Sequence, residues 1–147
     1  MKKRIIVVAL VLIGSFGSGL ALSEYRQRAA IVIHYTMWEF NDDGTSYEWS
    51  KSVRVCNRRG EWTETQIFND GNLRTASGKV TPRNLSFASF PDARREEILG
   101  KTVAVVFDRK AEMWFDPSTQ QILKDIRYTD ETRQTVESVM EAVEIKD

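Results

Sequence analysis

The chain has 147 residues, 41% of them hydrophobic and 29% charged, which is enough for one folded domain, too few for two, and too apolar for a disordered chain. Lysine and arginine balance aspartate and glutamate, and without Lys2, Lys3 and Arg4 the remaining 18 basic residues face 21 acidic ones, a net charge of −3. That balance excludes a nucleic-acid binder, which needs a basic surface.

The N-terminus stands apart. Lys2, Lys3 and Arg4 precede an unbroken apolar run from Ile5 to Ile13, followed by Gly14, Ser15, Gly17, Ser18 and Gly19 and by Ala21-Leu22-Ser23. A basic start, a short apolar run and small residues before a cleavage point are the parts of a secretory signal peptide. Residues 1–23 are therefore expected to be removed, by cleavage after Ser23 or after Ala21. Residues 24–28 then form a linker, and 29–147 a single β-rich domain that is periplasmic or secreted. The alternative is an uncleaved anchor in the inner membrane over residues 5–22, with the domain outside the cytoplasm. No cysteine follows the apolar run, so a lipid-modified N-terminus is not indicated.

From Ala29 the pattern alternates. Ile31, Ile33, Tyr35 and Met37 occupy odd positions up to Phe40, and Asn41-Asp42-Asp43-Gly44 breaks the run. A second run, Tyr47 to Asn57, ends at Asn57-Arg58-Arg59-Gly60, and a third, Glu61 to Phe68, ends at Asn69-Asp70-Gly71. Asparagine followed by glycine between β-type runs signals hairpins. Three-residue loops pair Asn41 with Thr45 and Asn57 with Glu61, which sets Tyr35 opposite Lys51, Arg54 opposite Glu64 and Cys56 opposite Trp62. The core face is then Ile31, Ile33, Tyr35, Met37, Tyr47, Trp49, Val53, Val55 and Ile67. The other face mixes Val32, His34, Trp38, Phe40, Cys56, Trp62 and Phe68 with polar residues. Its large aromatics mark either a ligand or partner surface or a face covered by the rest of the chain.

Beyond a looser stretch, with a loop at Thr81-Pro82-Arg83-Asn84, the sequence Ser89-Phe90-Pro91-Asp92 predicts the start of a short helix near 90–99, ended by Gly100. Thr102 to Asp108 reads as a buried strand, turned by Arg109-Lys110 into Ala111 to Asp116. Asp116-Pro117-Ser118-Thr119 has the composition of a type I turn, and Gln120 to Tyr128 returns as a strand. Val136, Val139, Met140 and Val143 have helical spacing, but Thr129-Asp130-Glu131 equally turns a hairpin that returns 133–145 as a last strand. Both readings stand.

Leu99-Gly100-Lys101-Thr102-Val103-Ala104-Val105, Met113-Trp114-Phe115-Asp116-Pro117-Ser118-Thr119 and Gln121-Ile122-Leu123-Lys124 together resemble the later strands of exported bacterial half-barrel proteins of the outer-membrane lipoprotein carrier type and their uncharacterised relatives. The resemblance implies a curved antiparallel sheet able to hold acyl chains. The fold class expected is thus mainly β: a half-barrel-like antiparallel meander with one short helix near 90–99 and a C-terminal strand or helix.

Chemistry is sparse in the residues. His34 is the single histidine and Cys56 the single cysteine, so Cys56 is a buried hydrophobe, a free thiol or half of an intermolecular bridge. The expected register places His34 four residues from Cys56, about 13 Å along the strand, far beyond the reach of a dyad. The aspartates sit at turns, where aspartate serves the backbone. No catalytic residue, metal site or cofactor is expected. The function expected is an exported binding module whose aromatic face, at Trp38, Phe40, Trp62 and Phe68, holds an apolar small molecule, lipid or lipoprotein segment. The alternatives are a non-catalytic envelope interaction protein and, least favoured, a thiol or hydrolytic enzyme using Cys56.

Overall fold

A computed structural model describes residues 29–57, 61–79 and 85–146. The expected signal peptide at 1–23, the linker at 24–28 and the loop at 81–84 lie outside the described residues. The chain is mainly β, as expected. Its strands are β1 (Ala29–Phe40), β2 (Ser46–Asn57), β3 (Glu61–Phe68), β4 (Leu73–Lys79), β5 (Arg94–Ile98), β6 (Lys101–Asp108), β7 (Ala111–Asp116), β8 (Gln121–Tyr128) and β9 (Val136–Lys146). They hydrogen-bond in the order β4-β3-β2-β1-β9-β8-β7-β6-β5. The one helical element among the described residues is a single 3-10 turn, Phe87–Ser89. The chain divides into two compact units.

The first unit contains β1 up to Tyr35, β2 from Ser50, β3, β4 and the chain's end from Glu144. Its β2–β3 hairpin has the expected register, with Arg54 opposite Glu64 and Cys56 opposite Trp62. Asn57 closes it, accepting from the Glu61 N–H at 3.0 Å and donating to the Glu61 carboxylate at 2.7 Å. The third turn holds Gly71 at a φ of 81° and leads into β4, a strand the sequence reading passed over because Leu73–Lys79 carries little β-type apolar alternation.

Ile33, Tyr35 and Val55 are buried, as expected of the core face, but they do not all share one side at the base of the first hairpin. Its tip, in the second unit, follows the three-residue loop: Asn41 N–H donates to Thr45 O at 2.8 Å, and the Tyr47 hydroxyl donates to Glu39 at 2.5 Å. Tyr35, however, lies under the Arg54 guanidinium, 5.2 Å from ring centroid to Cζ. Ile33 and Tyr35 therefore share a side with Arg54, Cys56 and Glu64 rather than with Val53 and Val55. One extra residue in one strand, as in a β-bulge, inverts the alternation in this way, and no turn motif announces it. Buried on that side are Ile33, Tyr35, Ser50, Ser52 and Cys56, and on the other Val55 and Thr65, while Tyr47, expected in the core, is exposed.

The second unit contains the tip of the first hairpin and residues 85–143. Its core is Ile98, Val103, Ala104, Val105, Ala111, Leu123 and Ala142. Val103, Ala104 and Val105 are at most 1% exposed, so both sides of β6 are covered at its centre, whereas Thr102, Phe107 and Asp108 of the strand expected to be buried are exposed. Between β7 and β8 the pairing steps from Trp114–Lys124 to Phe115–Ile122, which leaves Leu123 as an extra, fully buried residue. Asp116, 1% exposed, takes hydrogen bonds from the Ser118 N–H and hydroxyl and from the Thr119 hydroxyl, the expected turn chemistry.

The helix expected near 90–99 is not formed. Ser86, three residues before the expected cap, starts the 3-10 turn, its N–H donating to Ser89 Oγ at 3.0 Å. Residues 94–98 are strand β5, although Arg-Arg-Glu-Glu favours helix by propensity. The deciding feature is Leu99-Gly100, with φ of 49° and 74°, between the paired residues Ile98 and Lys101. Two consecutive positive φ values make the two-residue hairpin turn whose twist matches antiparallel strands. The C-terminus resolves as a strand, β9, because β8 pairs with it through Ile126–Val139 and Asp125–Met140. Leu99 is 46% exposed and has no packing to lose, so Leu99→Asn should stabilise the protein by about 1 kcal/mol, by relieving a side chain held in the left-handed region. Urea melts check this; a loss of stability would remove the hairpin from residues 94–105.

Candidate functional site

Two places in the molecule gather chemistry. In the first unit it is Arg54. Alternation on β2 points Arg54 to the same side as Cys56, and the β3 register brings Glu64 directly opposite it. Glu64 Oε2 accepts from Arg54 Nε at 2.7 Å and Nη2 at 2.5 Å. The guanidinium also lies over the Trp62 ring at 5.0 Å, so it is held between two aromatic faces and paired with a carboxylate. Burial opposes the charge on Arg54, but Tyr35 and Glu64 outweigh that and raise its pKa above the ordinary value. Burial also raises the Tyr35 hydroxyl well above its usual range, the Arg54 charge acting against the shift. Both partners are satisfied, which makes this an internal ion pair rather than an open anion site.

Cys56 lies beside this pair. Burial pushes its thiol up to about 11, with Arg54 acting in the opposite direction, so it is protonated at neutral pH and a poor nucleophile. His34, adjacent to Tyr35 in β1, alternates to the opposite side. Its Nε2 is 3.8 Å from the Glu144 carboxylate and has no hydrogen-bond partner. Burial lowers the imidazole pKa, Glu144 working against the shift and Lys146 with it.

The four aromatics expected to form a ligand face divide between the units, Trp62 and Phe68 in the first and Trp38 and Phe40 in the second. All four are half-buried. Trp62 has a structural occupation as well, because its indole lies over Gly78, where a Cβ would fall 2.8 Å from Cζ2. Phe68 stands opposite Ser50.

In the second unit an apolar cleft of about 260 Å³ is lined by Phe90, Pro91, Ala93, Val105, Val106 and Phe107, with Asp92 as the one charged member. None of the four expected aromatics lines it. The cleft is built by a clamp: Gln120, at a φ of 60°, accepts from Leu85 N–H at 3.0 Å and donates to Leu85 O at 2.7 Å and Pro117 O at 2.8 Å. That ties the segment before the 3-10 turn to the β7–β8 turn. Phe90 then packs edge-on against Phe115, 5.7 Å between centroids, and Arg95 covers Phe87 at 4.4 Å. Phe107 is 44% exposed beneath the Arg133 guanidinium at 4.4 Å. Beside it, the nearly buried Glu112 accepts from Trp114 Nε1 at 2.8 Å and the Tyr128 hydroxyl at 2.9 Å. The sequence reading missed this cleft because it took Val103–Phe107 as uniformly buried. The signal was available in Phe107, a large aromatic at the strand's end beside the Arg109-Lys110 turn.

Among the described residues no group of three or more His, Cys, Asp or Glu is placed to hold a metal, and no helix is long and apolar enough to cross a membrane.

No family model and no curated protein matches the sequence. Among solved structures, the chain is similar to a LolA superfamily protein from Nitrosomonas europaea, at 10% identity over 81% of this chain and 86% of that chain, with a TM-score of 0.39. It is also similar to an outer membrane lipoprotein-sorting protein domain from Vibrio parahaemolyticus, at 10% identity over 84% and 89% of the two chains, with a TM-score of 0.29.

Two outcomes follow from the first unit. Trp62→Ala should cost about 2–4 kcal/mol, through lost packing and the lost stack on Arg54. Gly78→Ala should also destabilise, because its methyl collides with the indole, and should cost far less in the Trp62→Ala background. A double-mutant cycle from denaturant melts measures this coupling, and strictly additive effects would separate the two residues. His34 governs a pH dependence. Its folded pKa is below the unfolded 6.5, so the unfolded chain binds the proton more readily and stability falls as pH drops from 6.5 toward the folded value. His34→Gln should flatten that part of the curve in melts across pH; stability rising on acidification would instead mean that Glu144 holds an imidazolium.

Proposed function

We propose that this chain is an exported, non-catalytic module that binds an apolar group, a short acyl segment or an apolar side chain of an envelope lipoprotein. The observation that carries the reading is the cleft at Phe90, Val106 and Phe107. Its walls are apolar, it carries one charged residue, and its volume of about 260 Å³ is below the roughly 300–1,000 Å³ of sites for drug-sized ligands. A chain or side chain of narrow cross-section suits that space better than a whole lipid. Export is supported by the basic, apolar and small-residue order of residues 2–23. A non-catalytic role is supported by Cys56, whose thiol is protonated at neutral pH and whose strand neighbours are Arg54 and Trp62 rather than histidine. Trp38 and Phe40 of the second unit, and Trp62 and Phe68 of the first, are the other places where an apolar ligand could rest, and experiment separates them from the cleft.

The test is a fluorescence titration with a dansylated fatty acid, run beside thermal melts. Wild type is expected to bind. Val106→Glu puts an unpaired carboxylate among apolar walls and should weaken binding by about tenfold or more with the melting temperature held. Trp38→Ala should leave binding unchanged. Loss of binding with Trp38→Ala and not with Val106→Glu moves the site to Trp38, and a wild type that binds no probe ends the reading.

A further inference from the structure

The two edges of the strand order differ in how they are protected. An edge strand presents unpaired N–H and C=O groups that template pairing with another chain, and charged side chains blunt that tendency. β5 is so protected, with Arg94, Arg95, Glu96 and Glu97 in sequence. The other edge is β4, Leu-Arg-Thr-Ala-Ser-Gly-Lys, whose centre from Thr75 to Gly78 carries no charge and whose residues Arg74–Ser77 are all exposed.

The third turn decides which backbone groups of β4 are open. Phe68 N–H donates to Asn72 O at 3.0 Å, so that pair is hydrogen-bonded, and antiparallel pairs alternate from there. With Ile67 opposite Leu73 and Thr65 opposite Thr75, the residues whose N–H and C=O point away from β3 are Leu73, Thr75, Ser77 and Lys79. We propose that a second copy of this chain adds to this edge, β4 to β4 and antiparallel, with Ala76 on the two-fold axis. In that register Leu73 meets Lys79 and Thr75 meets Ser77, so every outward group of one strand finds an outward group of the other. No like charges face: Arg74 falls opposite Gly78, and Lys79 opposite Leu73. Gly78 has no side chain to obstruct Arg74 of the other copy, and the Trp62 indole lying over Gly78 offers that guanidinium an aromatic neighbour. A shift of two residues either way gives up two of the seven pairs.

The experiment uses the full chain in sedimentation equilibrium over a concentration series. Wild type is expected to dimerise. Ser77→Pro removes an outward N–H, where proline is tolerated on an edge, and should give a monomer with its melting temperature kept. Register is read by oxidative crosslinking. Ala76→Cys places two thiols on the axis, at a non-hydrogen-bonded pair with Cα atoms about 4.5 Å apart, within the disulfide range of roughly 4.4–6.8 Å. Leu73→Cys separates them by six residues, about 20 Å, and should crosslink at least about tenfold more slowly. A wild type that stays monomeric, a Ser77→Pro variant that still dimerises, or equal crosslinking of the two cysteine variants overturns the proposal. Should Ser77→Pro fail to fold, the crosslinking pair decides alone.

Discussion

The constraint on which this molecule depends is the period of two in a β-strand. Successive side chains point to opposite sides, so one residue added or lost between two points of a strand reverses everything beyond it. With only a 3-10 turn of helix among its described residues, the chain has little else to cover its strands, and each side must be supplied by alternation. That is why Arg54 can be internal at all. Alternation points it to the side of Glu64 and Trp62, where Tyr35 also covers it, so the charge is paired and stacked; without Glu64 it would be a part-buried charge with no carboxylate.

The same constraint explains how the turns divide the work. Loops containing Gly44 and Gly71 use a glycine at positive φ to set register, and the Leu99-Gly100 pair does so with only two residues. Where the turn does not settle the outcome, a bulge does. Leu123 is fully buried because β8 carries one more residue than β7 at that point. Bulges bend strands and re-aim side chains, whereas the Arg54–Glu64 ion pair of the first unit follows from the regular β2–β3 register.

The cleft of the second unit is a different kind of product. Its walls come from a turn and a strand end that are not neighbours in sequence, held together by Gln120, which grips the Leu85 backbone by both its N–H and its carbonyl. Binding surfaces are often carried on connecting segments positioned by a rigid sheet, and here the segment is held by the Gln120 amide at its start, the Phe90–Phe115 contact and the β5–β6 pairing that begins at Arg94. Among the described residues the weakly charged edge at β4 offers backbone pairing and this cleft offers apolar contact.

Local signals in the residues were enough for the β class, the hairpin turns, the pairing of Arg54 with Glu64 and of Cys56 with Trp62, and the strand–turn–strand from Ala111 to Tyr128. Each rests on short-range physics: positive φ at glycine, proline and aspartate in turns, and alternation over a few residues. Tertiary structure alone decided the rest. Arg94–Ile98 is a strand because Leu99-Gly100 turns it onto β6, against its helical propensity, and Val136–Lys146 is a strand because β8 has a side to pair. Tyr35 lies against Arg54 although the expected register sets them on opposite sides, and Phe90 meets Val106 and Phe107 because β5 pairs with β6 while Gln120 bonds Leu85, 35 residues back along the chain. Propensity and periodicity describe a segment in isolation. Which of two satisfied periods is used, and which surfaces meet, is settled by the hydrogen-bonding and burial needs of strands distant in sequence.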